Sequence, residues 1–564
     1  MYDVCIIGGG QSGLVTCKTM AESGKSVIVL EKCNGCIGMF STIKEKDLFK
    51  WSTSRYMSGF SDFPMPKTVP TWFTIRDYLN YLESYVKHFG LDKYIKYNSK
   101  VNKCYQNQNG EWIVEYNNNE KLVCKKLIVC AGLNQTPKFP EIVKGFTGEI
   151  IHTEQVYRNM NKEEWRNKFQ GKRILLLGGA ESAYDIGHVL VQYSNQVYYS
   201  TKNYTEWFAK GEEDPELIDR ARKLENNCLY NFLDSPSFKH PTDVHLNFIE
   251  YSLPEPISNM WHEYGRLLLR LRYCKKCSNQ HDELCNINET PDNLFKKYVV
   301  KRTEFMLDIH EKKAKIVFYP DKIEGKTVYT KEKTIENVDI IVCATGFKKH
   351  FTFLEDDVWK GEHIKKMVPT KYSNIAFIGY ARPTMGSIAA VAEMQSWWIE
   401  KYFFDETFSY KNRKPTFRTI DPLNLKNDHI NTIVIGCYYL KDLAKDLKIE
   451  PNMWYLLFTD FELFLRIFTA SCHPMIYRIH GYKNNDNSRK ILMDTLIEIN
   501  KLSYRYLLFF VVLHLLFIAF LLLVAFLLSY IVYVSQSLKK MVKYKQTIFI
   551  SLAVSLIFIF YTFF

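Results

Sequence analysis

The chain has 564 residues, a formal net charge of +13 and 47% hydrophobic residues. That length exceeds one ordinary core and that composition excludes a disordered chain, so two or three packed units are expected. Its 74 Lys and Arg against 61 Asp and Glu suit an anionic membrane surface or a phosphate-rich cofactor; nothing resembles a nucleic-acid module, so nucleic acid is set aside as a partner.

Residues 2–7 (YDVCII) form an apolar run that predicts a strand, so no signal peptide is expected. The turn Gly8-Gly9-Gly10-Gln11-Ser12-Gly13 follows, then a helical stretch from Gln11 to about Ser23, then the apolar run Ser26–Leu30. Strand, glycine turn, helix and strand make a βαβ unit with the spacing GxGxxG. Its glycines permit the tight turn, the approach of backbone to a pyrophosphate and close helix–strand packing. The helix N-terminus supplies amide donors, and Glu31, at the end of the second strand, is placed for ribose hydroxyls.

A helix is predicted near 75–89 and strands near 111–116 and 126–130. Residues 172–201 repeat the opening plan: RILLL, then Gly178, a helix from Glu181 to Tyr193, and QVYYST. The second turn is Gly178-Gly179-Ala180-Glu181-Ser182-Ala183, with Ala180 at the middle glycine. Its second strand ends in Ser200-Thr201-Lys202 instead of an acid, which favours a 2′-phosphate and hence NADPH. Residues 212–300 are charged, aromatic and poorly periodic, and read as an elaboration of the second unit. Within them Cys274, Cys277, His281 and Cys285 have ligand types that could bind zinc, but the spacing is compressed and there is no second CxxC, so a reduced surface loop is the expectation and no metal is assigned. The runs VDIIVCA (338–344) and NIAFIGY (374–380) predict buried strands. Of the 14 cysteines, Cys5, Cys130 and Cys343 sit in apolar runs and read as small core residues. A reducing, cytosol-facing catalytic portion is the corresponding expectation.

Residues 454–480 are apolar and aromatic, suited to packing on the core or meeting lipid. Residues 506–534 and 547–564 are almost wholly apolar, with Lys539, Lys540, Lys543 and Lys545 between them. Either run is long enough to cross a bilayer core. Two plain spans would put the lysines on the non-cytosolic side, against the positive-inside tendency; a first segment that returns or lies flat, followed by a spanning second, obeys it. Both arrangements stay open, and membrane lipid is an expected partner.

The loop STSRYMSGFSDFPMP (52–66) closely resembles the flavin-containing monooxygenase family of the endoplasmic reticulum, the microsomal N-oxide-forming type. Other stretches agree: EKCNGCIGMF from Glu31, FTGEIIH (Phe146, Gly148, His152) against the family fingerprint FxGxxxH, CATGF at 343–347, GSIAAVAEMQSWW at 386–398 and PNMWYLLFTDFELFL at 451–465. The resemblance implies bound FAD and NADPH. Reduced flavin would take up O2 as a C4a-hydroperoxide and pass one oxygen atom to a soft nitrogen or sulfur of a small molecule. It also implies roles by position. Gly8, Gly9, Gly10, Gln11, Ser12, Gly13, Glu31, Lys32, Met39 and Phe40 fall on the FAD segment, the last two where Leu and Trp are usual. Ser52 and Thr53 fall on the flavin loop as candidate catalytic residues. Gly178, Ser182, Ser200, Thr201 and Lys202 fall on the NADPH segment. For Phe146 and His152 a linker between domains and a direct chemical role stay open.

The sequence also departs from the family. Ser52 stands where Asn is usual and Glu181 replaces the Asn of the second glycine turn. The spacing from His152 to Tyr157 is one residue longer than usual, and residues 203–230 lack the family's glycine-rich segment. The expected fold is α/β with two Rossmann-like dinucleotide-binding domains, the second inserted in the first, and C-terminal membrane-associating helices. The expected segments are an FAD domain at 1–157 and 336–440, an NADPH domain at 158–335, an apolar or amphipathic region at 441–502 and a membrane tail at 503–564. Three functions stay open: an N- or S-oxygenase, an uncoupled NADPH oxidase releasing H2O2, and a membrane-tethered FAD-binding protein with a degenerate NADPH site.

Overall fold

In the computed structural model the described residues are 1–35, 38–132, 134–202, 206–207, 214–224, 299–300, 302–348, 350–383, 386–410, 433–434, 436–468, 473–479, 489–494, 551–553 and 555. The Cys274–Cys285 group, the run 506–534, the lysines at 539–545 and most of 547–564 lie outside them. No helix among the described residues is long and apolar enough to cross a membrane; the expected membrane helices fall almost wholly outside those residues.

The opening run forms β1 (Tyr2–Ile7), followed by α1 (Gln11–Glu22) and β2 (Val27–Leu30). Helix α2 (Ile75–His88) begins at a capping box in which the Thr74 side chain accepts from the Asp77 N–H and Asp77 accepts from the Thr74 N–H. Its buried residues Ile75, Tyr78, Leu79, Leu82, Tyr85 and Val86 recur at helical spacing, so one face meets the core. β3 (Ile95–Lys96), β4 (Val101–Gln106), β5 (Trp112–Tyr116) and β6 (Glu120–Val129) complete the first half. The sheet order is β3-β2-β1-β6-β5-β4. β1 runs parallel to both β2 and β6, whereas β4, β5 and β6 form an antiparallel meander. The inner residues Val4, Cys5, Ile6, Leu127, Ile128 and Val129 are fully buried. Being covered on both faces, these strands read as continuous apolar runs.

The second sheet collects β7 (Glu149–His152), β8 (Arg173–Leu177), β9 (Gln196–Ser200), β10 (Ala314–Val317) and β11 (Ile340–Cys343), in the all-parallel order β10-β9-β8-β11-β7. Between them lie α3 (Thr153–Asn159), α4 (Glu181–Tyr193) and α5 (Thr303–His310). The strands β7 and β11, placed by sequence in the first unit, therefore pair inside the second sheet. Short strands of four residues carry too little periodicity to reveal which sheet they join.

The chain then returns to the first sheet as β12 (Ile375–Phe377), parallel to the end of β6. Helix α6 (Ile388–Phe404) packs on α1, where Thr19 Oγ1 and Ser396 Oγ lie 2.8 Å apart. Helix α7 (Gly436–Leu447) backs it, with Trp398 Nε1 donating to Asp446 Oδ2 at 3.1 Å. In the segment 454–480, Met475, Ile476 and Tyr477 are buried, while Trp454, Tyr455, Phe458 and Phe461 are exposed. Part of that segment thus joins the core and part presents an aromatic surface.

Candidate functional site

Both sheets reverse their strand order beside a glycine turn, the place where open α/β sheets bind ligands. In the first, Gly8 has φ +103° and a Cβ there would come within 2.8 Å of the Cys130 carbonyl oxygen, just past β6. In the second, Gly178 has φ +130° and a Cβ would overlap the Ala344 carbonyl oxygen, just past β11. The two units repeat the same local solution: a left-handed turn pressed against the end of the neighbouring strand.

The first turn is built for an anion. Gly10 caps α1 without any side-chain hydrogen bond, and the first turn of α1 carries no acid, so the helix's amide donors remain open to a ligand. A Cβ on Gly13 would overlap the Gly8 carbonyl oxygen, which fixes the close helix–strand contact. A Cβ on Gly10 would meet only the Cα of Gly38, at 3.9 Å, so the two glycines line an open cradle. Glu31 is 2% exposed. Its Oε2 accepts from the Gly9 N–H at 2.6 Å and its Oε1 from the Cys33 N–H at 2.8 Å. A carboxylate has about four lone-pair sites, so acceptor capacity remains beyond these two bonds. Gln11 Oε1 accepts from the Tyr78 hydroxyl. Ser12 lies under Gly379, where a Cβ would run into its hydroxyl. Lys32 turns outward to Gln135 Oε1 at 2.9 Å.

Beside the cradle the loop at 52–66 meets an aromatic shell. Phe40 packs edge-on to Trp51 at 4.7 Å, and Trp51 lies 4.3 Å from Tyr78 and 5.9 Å from Phe73. Met39 and Phe40 are half-buried in the turn Gly38–Thr42. Ser52 and Thr53 follow Trp51 directly and are half-buried. Trp51 N–H donates to the Phe73 carbonyl at 2.7 Å and Arg55 N–H to the Thr71 carbonyl at 3.0 Å, so the loop is held on both sides of Ser52 and Thr53.

The second turn also opens an uncapped helix, with Ala180 as N-cap of α4. Glu181, the first residue of that helix, is not loose: Oε2 lies 3.4 Å from Arg302 Nε, which also lies 2.6 Å from Asp185 Oδ1. Tyr157 donates to Asp185 Oδ2 at 3.0 Å. Ser200 needs correction as a phosphate ligand. It is fully buried and its hydroxyl donates to the Phe318 carbonyl at 3.1 Å, so it is spent inside the sheet edge. Thr201 is half-buried, and exposed Lys202 stands 4.8 Å over the Tyr319 ring.

The fingerprint residues take a linking position. Phe146 packs against Gly148, where a Cβ would come within 2.5 Å of its ring. His152 is fully buried at the end of β7; Nδ1 accepts from the Glu154 N–H at 3.2 Å and Nε2 lies 2.9 Å from the Gly346 carbonyl of the CATGF turn. Burial pushes the imidazole down to about 4, so the ring is neutral near neutral pH. Sequence reasoning missed Arg302, Gly38 and the ring set Trp51, Phe73 and Tyr78. Gly38 alone had a signal, as the second glycine of EKCNGCIGMF.

Two Rossmann units with an aromatic loop between them define a protein made to hold two dinucleotides. The comparisons give the family: the model "Flavin-binding monooxygenase-like" matches residues 2–215 and 320–531, and the chain belongs to it. With membership come its cofactors, FAD and NADPH. Among curated proteins, the chain is 28% identical over 521 residues to a 4-hydroxybenzoate brominase (decarboxylating) of Marinomonas mediterranea, covering 87% of this chain and 92% of that one. It is 28% identical over 516 residues to dimethylaniline monooxygenase (N-oxide-forming) 2 of Macaca mulatta, covering 85% and 88%. Among solved structures, a caprolactone-bound cyclohexanone monooxygenase matches with a TM-score of 0.53 at 16% identity, covering 71% of this chain and 86% of that one, which supports the fold.

Proposed function

We propose that this chain is an FAD- and NADPH-dependent monooxygenase acting on soft nucleophilic nitrogen or sulfur atoms of small molecules. NADPH, a proton, O2 and substrate would give NADP+, water and a product carrying one new oxygen atom. The observation that carries the reading is the pair of uncapped glycine turns, with the Lys50–Thr53 loop hydrogen-bonded to the side of the second one through Arg302. When bound and reduced, flavin supplies the activation of O2. The chain's own residues hold and shield it. Gly8, Gly9, Gly10, Gln11, Ser12 and Gly13 would receive the FAD pyrophosphate at the start of α1, and Glu31, with Lys32 nearby, would bind the ribose. Met39, Phe40 and Trp51 would cover the ring system and exclude water, with Ser52 and Thr53 presenting hydroxyls beside it. Gly178 and Ser182 would line the NADPH pyrophosphate site, and Thr201 and Lys202 the 2′-phosphate. The apolar runs at 506–534 and 547–564 and the exposed Trp454, Tyr455, Phe458 and Phe461 support attachment to the endoplasmic reticulum membrane, catalytic units facing the cytosol.

A second reading has support from the brominase relative: oxygen delivered to bromide, with bromination of a phenolic acid. One experiment separates the possibilities. Detergent-solubilised, FAD-loaded protein is mixed with NADPH and O2, alone, with a small tertiary amine or thioether, and with bromide plus 4-hydroxybenzoate. NADPH consumed, H2O2 and products are measured together. Oxygenated amine or thioether matching NADPH supports the proposal. Brominated phenol in its place favours the second reading, and H2O2 alone makes the chain an oxidase. Untouched NADPH removes the nicotinamide site from the account.

A further inference from the structure

Glu181 poses a problem for the second nucleotide site. It is the first residue of α4, where a carboxylate gains from the helix dipole but competes with the anion those amide groups receive. Arg302 answers it. Only 7% exposed, the residue places its guanidinium 2.6 Å from Asp185 and 3.4 Å from Glu181, and donates to the Lys50 carbonyl at 2.5 Å. Burial disfavours its charge, and the Asp185 and Glu181 carboxylates restore it. Arg302 also comes from residues 216–319, the stretch the family model leaves unmatched, whereas Glu181 sits inside the matched part. The added acid and its cation therefore come from different parts of the chain and meet in the fold.

We infer that Arg302 is a positioning residue for the nicotinamide dinucleotide: it pins the Glu181 carboxylate against the Asp185 side of α4, keeping the helix N-terminus available to the pyrophosphate, and joins that helix to the flavin loop at Lys50. This inference rests on the NADPH site proposed above. Its consequence is a charge dependence. With Arg302 present, Glu181 costs little in dinucleotide affinity; without Arg302, Glu181 repels the phosphates.

The test uses full-length, FAD-loaded protein, NADP+ as the probe, calorimetric affinity and the melting temperature without nucleotide. Arg302→Gln is expected to weaken NADP+ by about tenfold or more, and adding Glu181→Gln to it to restore affinity to within about threefold of the parent. Glu181→Gln alone is expected to lower the melting temperature while holding NADP+ affinity within about threefold. A double variant as weak as Arg302→Gln overturns the inference, because a purely structural role would not be rescued by removing a charge. So does a tightening of about tenfold in Glu181→Gln alone, which would mean the carboxylate already faced the phosphates; this variant decides the matter if Arg302→Gln does not fold. Parent protein that binds no NADP+ at all overturns the nicotinamide reading itself, a different result from either.

Discussion

Glu31 follows β2 and Ser200 ends β9, corresponding places in the two units, and their side chains are held differently. Glu31 is expected at the ribose because an acid at the end of the second strand of a βαβ unit has one dominant use, and in the fold its two carboxylate oxygens accept from the Gly9 and Cys33 N–H groups. Ser200 looked equivalent in sequence, yet its hydroxyl is committed to Phe318. Four of the five residues of its strand are buried, so no alternation marks which side chains face a ligand. Arg302 was beyond sequence reasoning: its partners Asp185 and Lys50 lie 117 and 252 residues away. Two histidines give a prediction at this scale. His152 and His473 each accept a backbone N–H at Nδ1 and face a carbonyl at Nε2, and burial lowers both from 6.5 to about 4. The unfolded chain binds these protons more readily than the folded one. Their stabilisation is therefore complete above about pH 6.5 and is lost as pH falls towards about 4. Melting temperature measured across that window should fall less steeply, by a few degrees overall, in a His152→Asn, His473→Asn double variant than in the parent. Parallel curves would refute the assignment.

At the scale of elements, α1 and α4 lie almost to the residue where the sequence predicts them, because a glycine turn fixes where each helix starts; α1 is then buried along the whole run Ser12–Met20. Strand membership was harder. Glu149–His152 and Ile340–Cys343 pair with the second sheet through contacts spanning nearly two hundred residues of sequence, which no local pattern encodes. The two glycine turns predict separable effects. Gly13→Ala would drive a methyl into the Gly8 carbonyl, whereas Gly178→Ala would strain a φ of +130° and collide with Ala344. The first should cost most of the bound FAD. The second should leave FAD in place while weakening NADP+ by about tenfold or more. Flavin absorbance per mole of protein and calorimetric NADP+ titration read the two independently; loss of FAD in Gly178→Ala with full NADP+ binding would invert the assignment of the two sheets.

Across the whole molecule, a buried charge cluster fastens the C-terminal third to the flavin loop. Arg478 lies 2.9 Å from Asp62 and 3.0 Å from Glu393, Lys18 lies 2.6 Å from Asp62, and Ser61 donates to Glu393 through both its N–H and its hydroxyl. Arg478 also sits 4.8 Å over the Trp397 ring, and His473 reaches the Gly59 carbonyl from the same segment. Removing one member leaves the rest buried and unbalanced in charge. Arg478→Met should therefore destabilise by about 3–5 kcal/mol and lower FAD retention, whereas a substitution at exposed Lys144 should do neither. An unchanged melting temperature and flavin content in Arg478→Met would show that the segment is not needed to hold the loop. Sequence showed that the late runs 386–398 and 451–465 belonged to the family pattern, but not that a residue beyond them locks the loop at 59–62.

A monooxygenase of this family moves one atom of O2 into its substrate at the expense of NADPH. The most direct measurement is mass spectrometry of the product formed from a thioether under isotopically labelled dioxygen, with NADPH consumption followed in the same sample. The account predicts one labelled oxygen per product molecule and close to one NADPH per product. Product oxygen drawn from water, or NADPH consumption with no labelled product, would contradict it.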